Sequence, residues 1–174
     1  GRRGLGGVEL DVAPGRSLVI MGGSGQGKSV TLKCALGLMT PDSGQVLVDG
    51  ADVTAMTPSE RAPVLRKFGM LFQGGALFDS MRVWENVAFG LIHAKGVDRQ
   101  KAWEIAIEKI VAVGLKPEVG NLYPAELSGG MQKRVSLARA IAKNPEIIFF
   151  DEPTTGLDPI MADIINKLIV DCVK

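Results

Sequence analysis

Gly22-Gly23-Ser24-Gly25-Gln26-Gly27-Lys28-Ser29 constrains the fold of this chain more than any other stretch. It fits G-x-x-x-x-G-K-[ST], a pattern that works where a strand runs into a glycine loop and the loop opens a helix. Both flanks are present. Residues 17–21 form a short apolar run that reads as a strand. Residues 28–38 carry apolar side chains at helical spacing, end near Gly37, and are followed by Pro41. Without a Cβ in the way, the glycine N–H groups can approach phosphate oxygens closely, and the helix turns its positive end to the same anion. Lys28 supplies a point charge for the β- and γ-phosphates, and Ser29 offers a hydroxyl ligand to Mg²⁺. Alone, the loop says only that a nucleoside triphosphate is bound.

The rest of the chain completes an α/β pattern. Residues 8–12 alternate apolar and acidic and read as an exposed-edge strand, and Pro14-Gly15 is a turn. A turn at 41–44, a strand at 45–48 and a turn at Asp49-Gly50 follow. Thr57-Pro58-Ser59-Glu60 is a capping box with proline at the first helical position, and Pro63 limits that helix to a turn or two. Residues 68–72 read as a buried strand ending at Gln73. After Gly75 the strand signals vanish, and 80–91, 98–113 and 129–142 read as helices. Residues 147–150 are fully apolar, as suits a central parallel strand, and 160–173 read as a last helix. The expectation is one domain over 1–174, with a mainly parallel sheet. Residues 1–75 and 143–174 form its α/β core, and 76–142 an inserted helical subdomain.

Composition excludes some classes. The chain has 174 residues, 46% of them hydrophobic, and a net charge of +1, so it carries no basic nucleic-acid footprint. No apolar run reaches the roughly 20 residues that span a bilayer, and no signal peptide is evident. Cys34 and Cys172 stand far apart and suit no metal or redox motif, so both read as buried free thiols of a reducing cytosol.

Two more features carry chemistry. Ser128-Gly129-Gly130, within Leu127–Gln132, puts a hydroxyl and two unhindered amides at a helix N-terminus, a second anion site. Asp151-Glu152 ends an apolar strand, where a carboxylate can hold a metal. The order of glycine loop, L-S-G-G and acidic strand end resembles the nucleotide-binding subunit of ATP-binding cassette (ABC) transporters, over nearly the whole chain. The resemblance implies an ATPase of P-loop fold using ATP and Mg²⁺. Gly22, Gly23, Ser24, Gly25, Gln26, Gly27, Lys28, Ser29 and Val30 would hold the nucleotide. Ser29, Gln73 and Asp151 would hold the metal. Glu152 would polarise the lytic water, with Gln73 as the Q-loop glutamine and Asp158 in a D-loop at the dimer interface. Ser128, Gly129 and Gly130 would meet the γ-phosphate of a second, head-to-tail subunit.

Residues 74–81 and 84–88 resemble the branch that powers Mla-type phospholipid and organic-solvent-tolerance transporters, and 123–126 fit it too. Amino-acid and lipoprotein transporters are the nearest neighbours. Transmembrane permease subunits would be the partners, at the cytoplasmic face of the bacterial inner membrane. Family members normally run longer. Their adenine-stacking aromatic precedes the first strand and their switch histidine follows the region where this chain stops, so the chain reads as cut at both ends. His93 reads as an exposed residue and not as that histidine. Trp84 and Trp103 read as core or subunit contacts. A DNA-maintenance ATPase would interpose a long coiled coil between the two motifs. A module that dimerises on ATP without turnover is the other rival; every acidic and phosphate-binding residue is in place, so the full-length protein is expected to hydrolyse ATP.

Overall fold

The computed structural model describes residues 6–23, 25–71 and 76–172, so the expectations placed on Ser24 and Gln73 lie outside the described residues. The chain divides into two compact units, meeting between Leu65 and Arg66.

In the first unit, α1 (Lys28–Ala35) follows the glycine loop, β1 (Leu47–Val48) and β2 (Ala51–Asp52) form a hairpin, and α2 (Pro58–Leu65) closes the segment. The hairpin turns at Asp49 and Gly50, both at positive φ, which is the two-residue geometry that matches strand twist. The capping box forms: Glu60 Oε2 accepts from Thr57 N–H at 2.9 Å, and Thr57 Oγ1 from Glu60 N–H at 3.4 Å. The Thr57 N–H first, and then the Thr57 hydroxyl donating to Glu60 Oε2 at 2.7 Å, hold the Glu60 carboxyl below its ordinary value. The Arg61 guanidinium donates to Gly37 O at 2.9 Å and Val53 O at 2.7 Å, tying α2 to the end of α1 and to the hairpin.

Two strand expectations are corrected here. Residues 8–12 and 17–21 form no ladder, and the apolar run ahead of the loop is exposed, Val19 at 74% and Met21 at 88%. Apolar sequence marks a tendency to be buried, but a strand exists only through a partner for its N–H and C=O groups. Among the described residues of this unit the one ladder is β1 with β2.

The second unit contains β3 (Phe68–Leu71), α3 (Val83–Lys95), α4 (Arg99–Ala112), 3-10 turns at Pro117–Asn121 and Pro124–Glu126, α5 (Gly129–Ile141), β4 (Ile147–Phe150) and α6 (Pro159–Cys172). β3 and β4 pair in parallel, Phe68 with Ile147 through Leu71 with Phe150, and the helices form the crossover that a parallel pair requires. No strand occurs between Ala76 and Ile141 among the described residues. The unit boundary lies ahead of the expected break at Gly75 because the strands pack on the helices. At Gly69 a Cβ would stand 2.5 Å from Ala140 O and 2.8 Å from the Pro145 ring, so glycine lets β3 lie against the end of α5.

The core joins Leu71 to Val83, Val87 and Leu91 of α3, Ala102, Ala106 and Ile110 of α4, and Val135, Leu137 and Ala138 of α5. Each large aliphatic side chain buried this way stabilises by about 1.5–3 kcal/mol. Helix ends are set locally. Asp98 caps α4 through Gln100 N–H at 3.0 Å, and Gly96 at φ 62 ends α3. Trp84 is buried, while Trp103 on α4 is exposed at 38%. Cys34 is a half-buried free thiol.

Candidate nucleotide site

In the first unit the loop is braced by bonds to its own side chains. Gly23 N–H donates to Gln26 Oε1 at 2.9 Å. Gly25 (φ 78) and Gly27 (φ 88) occupy the left-handed region that glycine reaches without strain. The Lys28 ammonium folds back across the loop, donating to Gly22 O at 2.7 Å and Gly23 O at 2.9 Å. Gly27 stands at the N-cap of α1 with no side-chain cap, and no acidic residue lies in the first turn. The leading N–H groups therefore remain available to an anion. Ser29 is exposed at the same helix start and Val30 is half-buried.

In the second unit β4 delivers Asp151 to the strand end, where its N–H extends the ladder to Leu71 O at 3.0 Å. Glu152 follows at φ 46, a left-handed conformation that disfavours a side-chain-bearing residue. A tight turn holds it there. Thr155 N–H donates to Glu152 O at 3.3 Å, and Thr155 Oγ1 to Glu152 Oε2 at 3.1 Å. Asp158 caps α6, its Oδ1 accepting from Ile160 and Met161 N–H at 3.1 Å each.

Ser128 caps α5 through Met131 N–H at 3.3 Å. The two glycines after it differ. A Cβ at Gly130 would stand 2.6 Å from Met161 Cε of α6, whereas at Gly129 it meets nothing within 4 Å among the described residues. Gln132 Nε2 donates to Pro124 O at 2.9 Å and holds the approach to Ser128. Arg139, further along α5, donates to Ala76 O at 2.8 Å, and burial pushes its guanidinium below the ordinary value.

The structure thus gathers Asp151, Glu152, Asp158 and Ser128–Gly130 in one unit, and the loop residues from Gly22 to Val30 in the other. Sequence reasoning missed one residue of this neighbourhood. Lys133 is buried on α5, with its ammonium 3.5 Å from Glu152 O. Its signal was position, one turn ahead of Leu137 on the side that faces the core.

A family profile described as ABC transporter matches residues 5–155. The chain belongs to the ABC transporter family. It is 43% identical over 162 residues to "Intermembrane phospholipid transport system ATP-binding protein MlaF" of Escherichia coli, covering 93% of this chain and 60% of that protein. It is 42% identical over 164 residues to "Probable ribonucleotide transport ATP-binding protein mkl" of Mycobacterium leprae, covering 94% of this chain and 47% of that protein. The chain therefore spans between about half and three fifths of the length of these relatives. A solved ATP-binding cassette, described as a dimer in a post-hydrolysis state bound to ADP and Pi, superposes with a TM-score of 0.83 at 34% identity. That match covers 92% of this chain and 70% of that one. The fold is accordingly that of the ABC ATPase cassette, a P-loop α/β architecture.

Proposed function

We propose that this chain is the ATP-binding and ATP-hydrolysing part of an ABC transporter subunit, working as a head-to-tail dimer to drive movement of a lipid. The observation that carries the reading is the second unit. There a strand end bearing Asp151 and Glu152 and a glycine-opened helix start at Ser128 are built on one packed framework. The dimeric cassette with ADP and Pi supports the dimer and the reaction, and MlaF supports the lipid. The relatives named for ribonucleotide transport favour a second cargo. The lipid is preferred for the MlaF-like segment around Ala76, Leu77 and Phe78. The protein would sit peripherally on the cytoplasmic face of the inner membrane against permease subunits. No helix among the described residues is long and apolar enough to cross a membrane.

Each residue has a task. Uncapped N–H groups of α1 and the Lys28 charge bind and orient the β- and γ-phosphates. By the family resemblance, a hard cation would be held by the Ser29 hydroxyl, the Asp151 carboxylate and the Gln73 amide oxygen, a donor chemistry that suits Mg²⁺. Mg²⁺ bound there supplies charge neutralisation for the transferred phosphoryl group. Glu152, held by the Thr155 turn, polarises the attacking water and takes its proton. Ser128 and Gly129 offer the partner subunit's nucleotide a second set of donors, and Asp158 holds the start of α6 next to that contact.

The test uses the full-length subunit. Glu152→Gln keeps the size of the side chain but cannot take a proton, so it should bind ATP and accumulate dimers by light scattering, with turnover lost. Adding Ser128→Arg should abolish those dimers. Wild-type turnover in Glu152→Gln refutes the catalytic assignment. Dimers that persist with the arginine refute the two-subunit site. Cargo is read by reconstitution with the permease and transfer of a labelled phospholipid against a labelled ribonucleotide.

A further inference from the structure

Lys133 lies in the second turn of α5 and is only 7% exposed. Lysine is seldom buried to that degree unless its ammonium has a partner, because the desolvated charge is costly. The partner the structure gives it is a backbone carbonyl, Glu152 O, at 3.5 Å. That same oxygen accepts from Thr155 N–H at 3.3 Å. Two donors directed at one carbonyl bias the peptide plane that leaves Glu152. The plane matters because Glu152 holds φ 46, a conformation the turn must impose.

The same helix braces the other end of the acidic segment. Gly130 abuts Met161, and Arg134 Nη2 approaches Met161 Sδ at 3.7 Å. Met161 N–H is in turn held by Asp158. α5 therefore grips the stretch from Glu152 to Met161 at both ends, and Ser128 opens that helix five residues before Lys133.

We infer that Lys133 is a positioning residue for hydrolysis: it ties the Glu152 turn to α5, so the seating of Ser128 sets the aim of the Glu152 carboxylate. The inference rests on the proposed role of Glu152. It implies that the helix reading one nucleotide of a dimer also aims the carboxylate working on the other.

The experiment compares Lys133→Met and Lys133→Arg in the full-length subunit. Methionine keeps the aliphatic stem and removes the donor; arginine keeps a buried cation. For methionine, kcat for ATP should fall at least tenfold with KM within twofold. ATP-driven dimerisation in a Glu152→Gln background should stay intact. Arginine should restore at least a third of the rate. A packing role alone would lower the urea midpoint and leave kcat per folded molecule unchanged, and that result overturns the inference. So does a loss confined to KM or to dimerisation. If the methionine protein does not fold, Lys133→Leu, which also lacks a donor, is read by the same kcat and KM criteria. Failure of the underlying reading looks different: Glu152→Gln would then hydrolyse ATP at the wild-type rate whatever stands at 133.

Discussion

Asn86 offers the sharpest stability test of this structure. It is fully buried at 0% exposure in α3. Its Oδ1 accepts from Phe78 N–H at 2.7 Å, and its Nδ2 donates toward Phe78 O at 3.1 Å, Met81 O at 3.1 Å and Arg82 O at 3.2 Å. An amide carries two protons, so three acceptors share two full donor bonds, and with the accepted bond the side chain has three net bonds. At about 1 kcal/mol each these contribute about 3 kcal/mol. A partly relaxed cavity adds to the cost of truncation, so Asn86→Ala should destabilise by about 2–4 kcal/mol. Urea denaturation of the full-length protein should show this as a lower midpoint at unchanged m. Asn86→Asp adds a sign. It keeps the bond from Phe78 N–H but turns a carboxyl toward three carbonyl oxygens in a dry site, so its folded-state pKa is raised above the unfolded value of about 3.9. Its stability should therefore match wild type most closely below that unfolded value and be lost as pH rises through the raised one. An alanine variant within about 0.5 kcal/mol of wild type would refute the bond count. So would an aspartate variant whose deficit is the same at acid and neutral pH.

Three further substitutions test the same structure. Gly69→Ala drives a Cβ into Ala140 O and the Pro145 ring, neither of them a flexible side-chain end, and should cost about 1–3 kcal/mol or more in urea denaturation. Gly129→Ala meets open space, so its urea midpoint should hold or rise while ATP turnover falls; full turnover there would remove Gly129 from the site. The Glu85 carboxyl is held below its ordinary value, first by Arg82 N–H at 3.0 Å and then by Arg99. That stability is present above the unfolded value of about 4.3 and is lost as pH falls through the lowered folded value, so Glu85→Gln should flatten the acid limb of a pH–stability curve.

What the sequence made legible was whatever has a local cause. The capping box at Thr57 and Glu60 fixed a helix start, the fully apolar 147–150 became β4 at those bounds, and Asp49-Gly50 became the hairpin turn. Elements without a local cause were missed. Ala51–Asp52 has no strand-like composition and pairs only because the turn folds it onto Leu47–Val48. Residues 17–21 have the composition of a strand but, among the described residues, no pairing partner, which composition cannot supply. Lys133 failed for a third reason. Pattern reading sends a lysine to solvent, and its burial depends on a turn at Glu152 far along the chain.

The paired glycines of the signature show how far a single chain explains its own sequence. Gly130 faces the fold: a Cβ there would stand 2.6 Å from Met161 Cε, the flexible end of that side chain, which would have to turn aside. Gly129, one residue earlier and exposed, answers to nothing within 4 Å among the described residues, and as the first residue of α5 it gives up helix propensity that alanine would supply. A residue that costs its own helix stability while filling no internal need is best explained by something approaching from outside. The first-turn N–H groups beside it make that approach most favourable for an anion. The nucleotide of a second subunit satisfies both conditions. On the proposed function, Ser128 and Gly129 would serve the partner subunit's nucleotide, and Lys133 is where the helix that carries them meets the Glu152 turn.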